Sequence, residues 1–147
     1  DNRIRRERSN TMSNLLVQNI KHTNNTTSMA IDTSGQVTIR GEGSATTTNL
    51  QQGLCKVWAF FNGSGTIAIF DSFNCSGLTD DGTGDYDINM TNVHGNTDYS
   101  VSMVSGDYHC VHGANEEAGK FNIESYNSSN SSADASRVHG QSFGDLA

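Results

Sequence analysis

Apolar residues come in short runs separated by polar turns along most of this chain. Over residues 56–61, Val57, Ala59 and Phe61 alternate with Lys56, Trp58 and Phe60, so a strand there would carry large apolar groups on both faces. Such a strand needs cover on both sides. Residues 66–71 repeat the pattern, with Ile67 and Ile69 on one face and Ala68 and Phe70 on the other. Tyr86, Ile88 and Met90 alternate with Asp85, Asp87 and Asn89, which predicts a half-buried strand whose polar side faces water. Tyr99, Val101 and Met103 repeat that alternation, and residues 109–112 read as a further strand entered through Ser105, Gly106 and Asp107. Phe121, Ile123 and Ser125 alternate with Asn122, Glu124 and Tyr126; residues 127–132 form a turn, and residues 140–143 read as a closing strand.

Upstream, Met29-Ala30-Ile31 and Val37-Thr38-Ile39 flank Asp32-Thr33-Ser34-Gly35, a hairpin in which the glycine can take positive φ. Residues 41–53 read as a linker or loose strand. The spacing therefore predicts an antiparallel all-β sandwich or jelly-roll-like domain over 54–147, preceded by an N-terminal anchoring or stalk segment over 1–53.

Only 33% of the 147 residues are hydrophobic, and mean hydropathy is −0.54. A core so thin favours a symmetric oligomer in which copies cover one another, although a thin-cored monomer also fits the pattern. Val57, Trp58, Phe60 and Phe70 are the expected interface, and a homotrimer the expected assembly. Proline is absent, so sheet edges must be blunted by charge or by cover.

Residues 1–40 carry six Lys or Arg against three acids, and residues 41–147 carry three against thirteen. A main domain near −10 repels a phosphate backbone, which argues against nucleic acid as its partner. Arg3, Arg5, Arg6 and Arg8 read as a solvated basic tail. Cys55, Cys75 and Cys110 are an odd count without CxxC spacing, so buried free thiols are expected, in a protein assembled in a reducing cytoplasm. No stretch of about eighteen apolar residues is present, so no membrane insertion is expected.

Three clusters invite chemistry. Asp80, Asp81, Asp85 and Asp87 surround a Gly-Thr-Gly turn, but their spacing lacks the EF-hand pattern and a solvated hairpin is the expected reading. The string His109-Cys110-Val111-His112 offers soft donors, yet a strand sends Cys110 and His112 to one face and His109 to the other. Two ligands per subunit would need a symmetry axis to complete a metal site. No GxSxG turn occurs, so neither a catalytic residue nor a cofactor is expected.

The order KVWAFF (56–61), GSGT (63–66), IFDSFNC (69–75), DDGTGDY (80–86) and ADASRV (133–138) resembles a small β domain of bacteriophage tail-fibre and other virion structural proteins, marine phages especially. The resemblance covers roughly residues 54–143. It implies a virion component, a tail-fibre or head-fibre protein that displays a β-sandwich for attachment to a host-surface glycan. Capsid decoration, or a secreted or fibre-forming glycan-binding module, are the alternatives. Implied partners are further copies of itself, other virion proteins and a host glycan. Because loops tolerate change on a rigid sheet, receptor contact is expected in four of them, through Asn62, Ser64, Asp80, Asp81, Tyr108, His109 and Asn115.

Overall fold

The hairpin expected around Gly35 forms in the computed structural model, which describes residues 18–23, 25–40, 47–113 and 116–146. Asn115, the arginine cluster at 3–8 and the closing residue lie outside the described residues. By its contacts the chain divides into two units, Asp1–Thr48 and Asn49–Ala147. In the first, β1 (Asn19–Lys21), β2 (Thr27–Ile31), β3 (Val37–Arg40) and β4 (Thr47–Asn49) make one sheet in that order. The β2–β3 turn closes because Asp32 Oδ1 accepts from Ser34 N (2.8 Å) and Gln36 N (2.9 Å), while Gly35 takes φ +78°.

Part of the expected linker is helical. Asn49 Oδ1 accepts from Gln51 N (2.8 Å) and Gln52 N (3.4 Å), capping the single turn α1 (Leu50–Gly53). The second unit then runs through β5 (Cys55–Asn62), β6 (Ala68–Phe73), β7 (Cys75–Gly82), β8 (Asp85–Met90), β9 (Ser100–Ser105), β10 (His109–His112), β11 (Lys120–Tyr126) and β12 (Val138–Phe143). All pairs here are antiparallel, in two sheets ordered β6-β5-β12-β9 and β10-β11-β8-β7. They pack face to face as the sandwich expected from the alternation.

Val57, Ala59, Phe61 and Val138 from one sheet meet Tyr86, Ile88, Met90, Phe121 and Ile123 from the other. Phe61 and Tyr86 touch edge to face, with ring centroids 5.4 Å apart. Burying each large apolar side chain contributes about 1.5–3 kcal/mol. Gly140 of β12 faces this layer: a Cβ there would lie 2.5 Å from Ile123 Cδ1 and 2.6 Å from Ile88 Cδ1, so its bareness is what lets both isoleucines reach the opposite sheet.

Two expectations are corrected. Val57 has no exposed surface and belongs to its own subunit's core, because β5 turns Val57, Ala59 and Phe61 inward and Trp58 and Phe60 outward. Asp87 does not face water: it is 2% exposed, and its carboxylate accepts from Asn122 Nδ2 (3.1 Å) and Lys120 Nζ (2.8 Å). Neighbouring β11 covers it and supplies the partners a buried charge needs.

The chain crosses between sheets at Asn74, φ +54°. Its Nδ2 donates to Lys56 O (3.0 Å) and Asn92 O (2.8 Å), and its Oδ1 accepts from Asn92 N (2.8 Å) and Asn92 Nδ2 (3.0 Å). A residue tolerant of the left-handed region, with donor and acceptor on one short side chain, fits this corner.

Candidate functional site

Strand register decides which loops share an end of the sandwich. Phe61, at the close of β5, pairs with Val138 at the start of β12, which pairs with Ser105 at the close of β9. In the other sheet Gly82 pairs with Asp85, Asp85 with Glu124, and His109 with Tyr126. Four connections therefore gather at one end: residues 63–67, 83–84, 106–108 and 127–137. The unit begins, at Asn49, toward the other end, since Cys55 opens β5 there.

The longest connection, 127–137, works as a clasp across the other three. Gly63 N donates to Ala135 O (2.9 Å), Gly106 N to Arg137 O (2.9 Å), and Ala133 N to Ser125 O (3.0 Å). Asp134 Oδ1 accepts from Gly84 N (2.7 Å) and stands 3.3 Å from the Tyr86 hydroxyl, which donates to Gly63 O (2.9 Å). Ser136 Oγ binds Asp107 Oδ2 (2.8 Å), and the Ser125 hydroxyl donates to Ala133 O. Burial pushes the Tyr86 phenol up to about 12, with the Asp134 charge adding to it, so it remains a donor across the physiological range. Within the clasp, Asn127 Oδ1 accepts from Ser129 N (2.9 Å) and Ser131 N (3.2 Å), and Asn130 sits at φ +58°.

On this rim stand several of the residues expected to contact a receptor. Ser64 is exposed, while Asn62 is half-buried and braces its own loop through Ser64 O (2.8 Å) and Thr66 O (3.2 Å). His109 is exposed and stacks on Tyr126, centroids 5.8 Å apart. Tyr108 is half-buried and packs against the core. Asp80 and Asp81 lie in β7 rather than in a loop. Asp80 Oδ1 accepts from Gly82 N (3.2 Å), and Asp81 stands beside Asp87. Partial desolvation, together with the Asp87 charge, raises the Asp81 carboxyl above its ordinary value. Of the loop expected to make contact over 113–117, the described residues Gly113, Glu116 and Glu117 lie at the opposite end, because β10 ends at His112 and β11 begins at Lys120. Sequence reading missed the clasp, since a run of Asn and Ser announces a turn but not the neighbours its backbone will bind.

The two outer faces differ in kind. On the β7-β8-β11 side, Asp81, Asp85, Asp87 and Glu124 stand together, with Asn122 Nδ2 donating to Asp85 Oδ1 (2.7 Å) and Lys120 neutralising Asp87. Hydrogen bonding to Asp87 holds the Lys120 ammonium above its usual value. Cys110 and His112 do share a side of β10; Cys110 packs on the core and His112 Nδ1 meets Glu116 Oε1 at 3.3 Å. Among the described residues no three or more His, Cys, Asp or Glu side chains are grouped so that they could hold a metal ion.

The β6-β5-β12-β9 side is aromatic. A bulge sets Phe70 and Asp71 together opposite Phe60, so successive residues turn the same way. Trp58 pairs with Phe73 and Gln141, and Phe60 stacks on His139 at 4.2 Å and touches Phe70 at 4.8 Å. Phe70 is 56% exposed, Phe73 55% and Val104 58%. A depression of about 220 Å³ lined by Ser102, Met103, Val104, His139, Gly140 and Gln141 adjoins these rings.

A Ser-His pair lies inside the unit. His94 Nε2 and Ser142 Oγ are 2.8 Å apart, and His94 stacks on Tyr99 at 4.3 Å. Ser142 is wholly buried, so this pair is structural.

No family model matches the chain, and no curated protein matches it. Among solved structures it is similar to the phiAB6 tailspike, determined with three-repeated oligosaccharides of Acinetobacter baumannii surface polysaccharide. The TM-score is 0.50 at 16% identity, over 93% of this chain and 29% of that one. The likeness is therefore one of fold, and this chain spans under a third of the tailspike's length.

Proposed function

We propose that this chain is a component of a bacteriophage tail appendage, and that the clasped loop end of its sandwich meets a polysaccharide of the host surface. The observation that carries this reading is the fold shared with a phage tailspike over 93% of the chain. The chemistry of the rim supports it. Amide, hydroxyl and carboxylate groups of the kind at Ser64, Asp107 and Asn130 match sugar hydroxyls, and the exposed His109 ring, stacked on half-buried Tyr126, offers a face to the C–H side of a pyranose. We propose attachment without cleavage. Asp87 is committed to Asn122 and Lys120, and Ser142 is inaccessible.

The test is adsorption of the purified chain to a panel of bacterial surface polysaccharides, paired with immunogold labelling of virions. Binding to one polysaccharide, reduced at least tenfold by Ser64→Tyr or His109→Ala with the fold retained, is the expected result. Absence of binding across the panel, with label along the head, would instead make the protein a capsid decoration.

A further inference from the structure

We infer that the aromatic outer face of the β6-β5-β12-β9 sheet is covered by a second copy of this chain, like face against like face. Trp58, Phe60, Phe70 and Phe73 form one apolar surface there, and the flat His139 ring, stacked on Phe60, lies between it and Val104 on β9. A clustered apolar patch, unlike singly scattered apolar residues, is often a functional surface. The exposed parts of these side chains amount to roughly 400 Å², against about 800 Å² that one partner of a standard interface buries, somewhat over half of it apolar. The patch thus supplies most of the apolar centre such an interface needs.

Charge selects the occupant. The chain carries −7, so two copies repel at a distance and can close only where local charge is least. On the opposite outer face Asp81, Asp85, Asp87 and Glu124 stand together with one lysine, and two such faces could not meet. On the aromatic face Asp71 is the exposed acid among the described strand residues, placed on the edge strand β6 at the rim of the patch. Among the described strand residues of this face a basic partner finds Asp71 alone to pair with and an acidic partner finds no exposed lysine or arginine, whereas an identical apolar surface finds its match. The bulge at Phe70 and Asp71 is the local device: it turns both to one side, so that Phe70 and Phe73 share this face although three positions apart.

Trp58 is the single tryptophan and lies in the patch, so its fluorescence reports cover directly. Light scattering of the full chain at micromolar concentration should give twice 15.8 kDa, because a face that meets its own like is used up by one partner, with Trp58 emission shifting to the red on dilution. Phe70→Asp combined with Phe73→Asp changes two exposed rings and should reduce the mass to that of one copy while the β-type circular dichroism is kept. Should that variant misfold, Val104→Asp on the far strand β9 makes the same test. A single-copy mass for the natural chain, or an assembly that survives these substitutions with the fold intact, overturns the inference. So does a Trp58 change on adding polysaccharide to a chain that stays monomeric, which would make the face a sugar platform. Polysaccharide adsorption can fail while association is found, so this inference and the attachment reading fall separately.

Discussion

Gly65 and Gly84 both sit at φ +69°, but only one of them is hemmed in. Nothing lies within 4 Å of where a Gly65 Cβ would be; a Gly84 Cβ would lie 2.5 Å from Ser125 O and 2.8 and 2.9 Å from Ala133 O and N. Alanine at either site incurs the left-handed conformational cost, about 1–2 kcal/mol. At Gly84 the colliding atoms are backbone, so the clasp must move. Moving it breaks the Ser125 N to Gly84 O bond (2.7 Å) and the Gly84 N to Asp134 Oδ1 bond (2.7 Å). Those losses add about 1 kcal/mol for the neutral bond and about 2 kcal/mol for the charged one. Gly84→Ala should therefore cost about 4–5 kcal/mol and Gly65→Ala about 1–2 kcal/mol. For a unit of this size the gap is on the order of 15 °C in melting temperature. Urea unfolding followed by Trp58 fluorescence, at fixed protein concentration, measures both. If the two variants lose the same stability within about 0.5 kcal/mol, the clasp does not hold the hairpin and the reasoning fails.

Three further outcomes are expected. Burial, helped by the Lys56 charge, holds the His94 imidazole below its ordinary value, so the unfolded chain takes that proton first. Stability is then full above the unfolded value near 6.5 and falls as pH drops below it. Urea midpoints from about pH 7.5 to about pH 5 should show this slope, and His94→Gln should flatten it. Asn74→Ala should cost about 2–3 kcal/mol by chemical denaturation, and Asn74→Gly should recover only the conformational part of that loss. Burial raises the Cys75 and Cys110 thiols, so in native protein near neutral pH both should react with a thiol reagent at least tenfold more slowly than in urea, as mass spectrometry of the labelled chain can show.

Much of the sandwich was legible because period-two alternation survives wherever one face is buried. In β8 and β11 the residues Tyr86, Ile88, Met90, Phe121 and Ile123 all point where that pattern sends them. Strand β7 gave no such signal: it is an edge strand with Leu78 as its one large aliphatic residue, and its alternation is broken by two register shifts. The bulge in β6 was equally hidden, since an extra residue is defined by its partner strand and not by its own composition. Asp87 illustrates the same limit for charge. An aspartate alternating with apolar residues reads as solvent-facing until Lys120 and Asn122, more than thirty positions away, arrive beside it. For the candidate site the loops were nameable, but which of them gather depends on strand order and direction.

Three of the bonds that fasten residues 127–137 to the rest of the rim run between main-chain atoms: Gly63 to Ala135, Gly106 to Arg137, and Ser125 to Ala133. Side chains at Ser128 and Ser129 project outward from that fastening. Mutations there can rewrite the outermost surface while leaving its attachment untouched. Under the attachment proposed above, new contacts with a changing host coat could thus be explored at this crest with little penalty to folding.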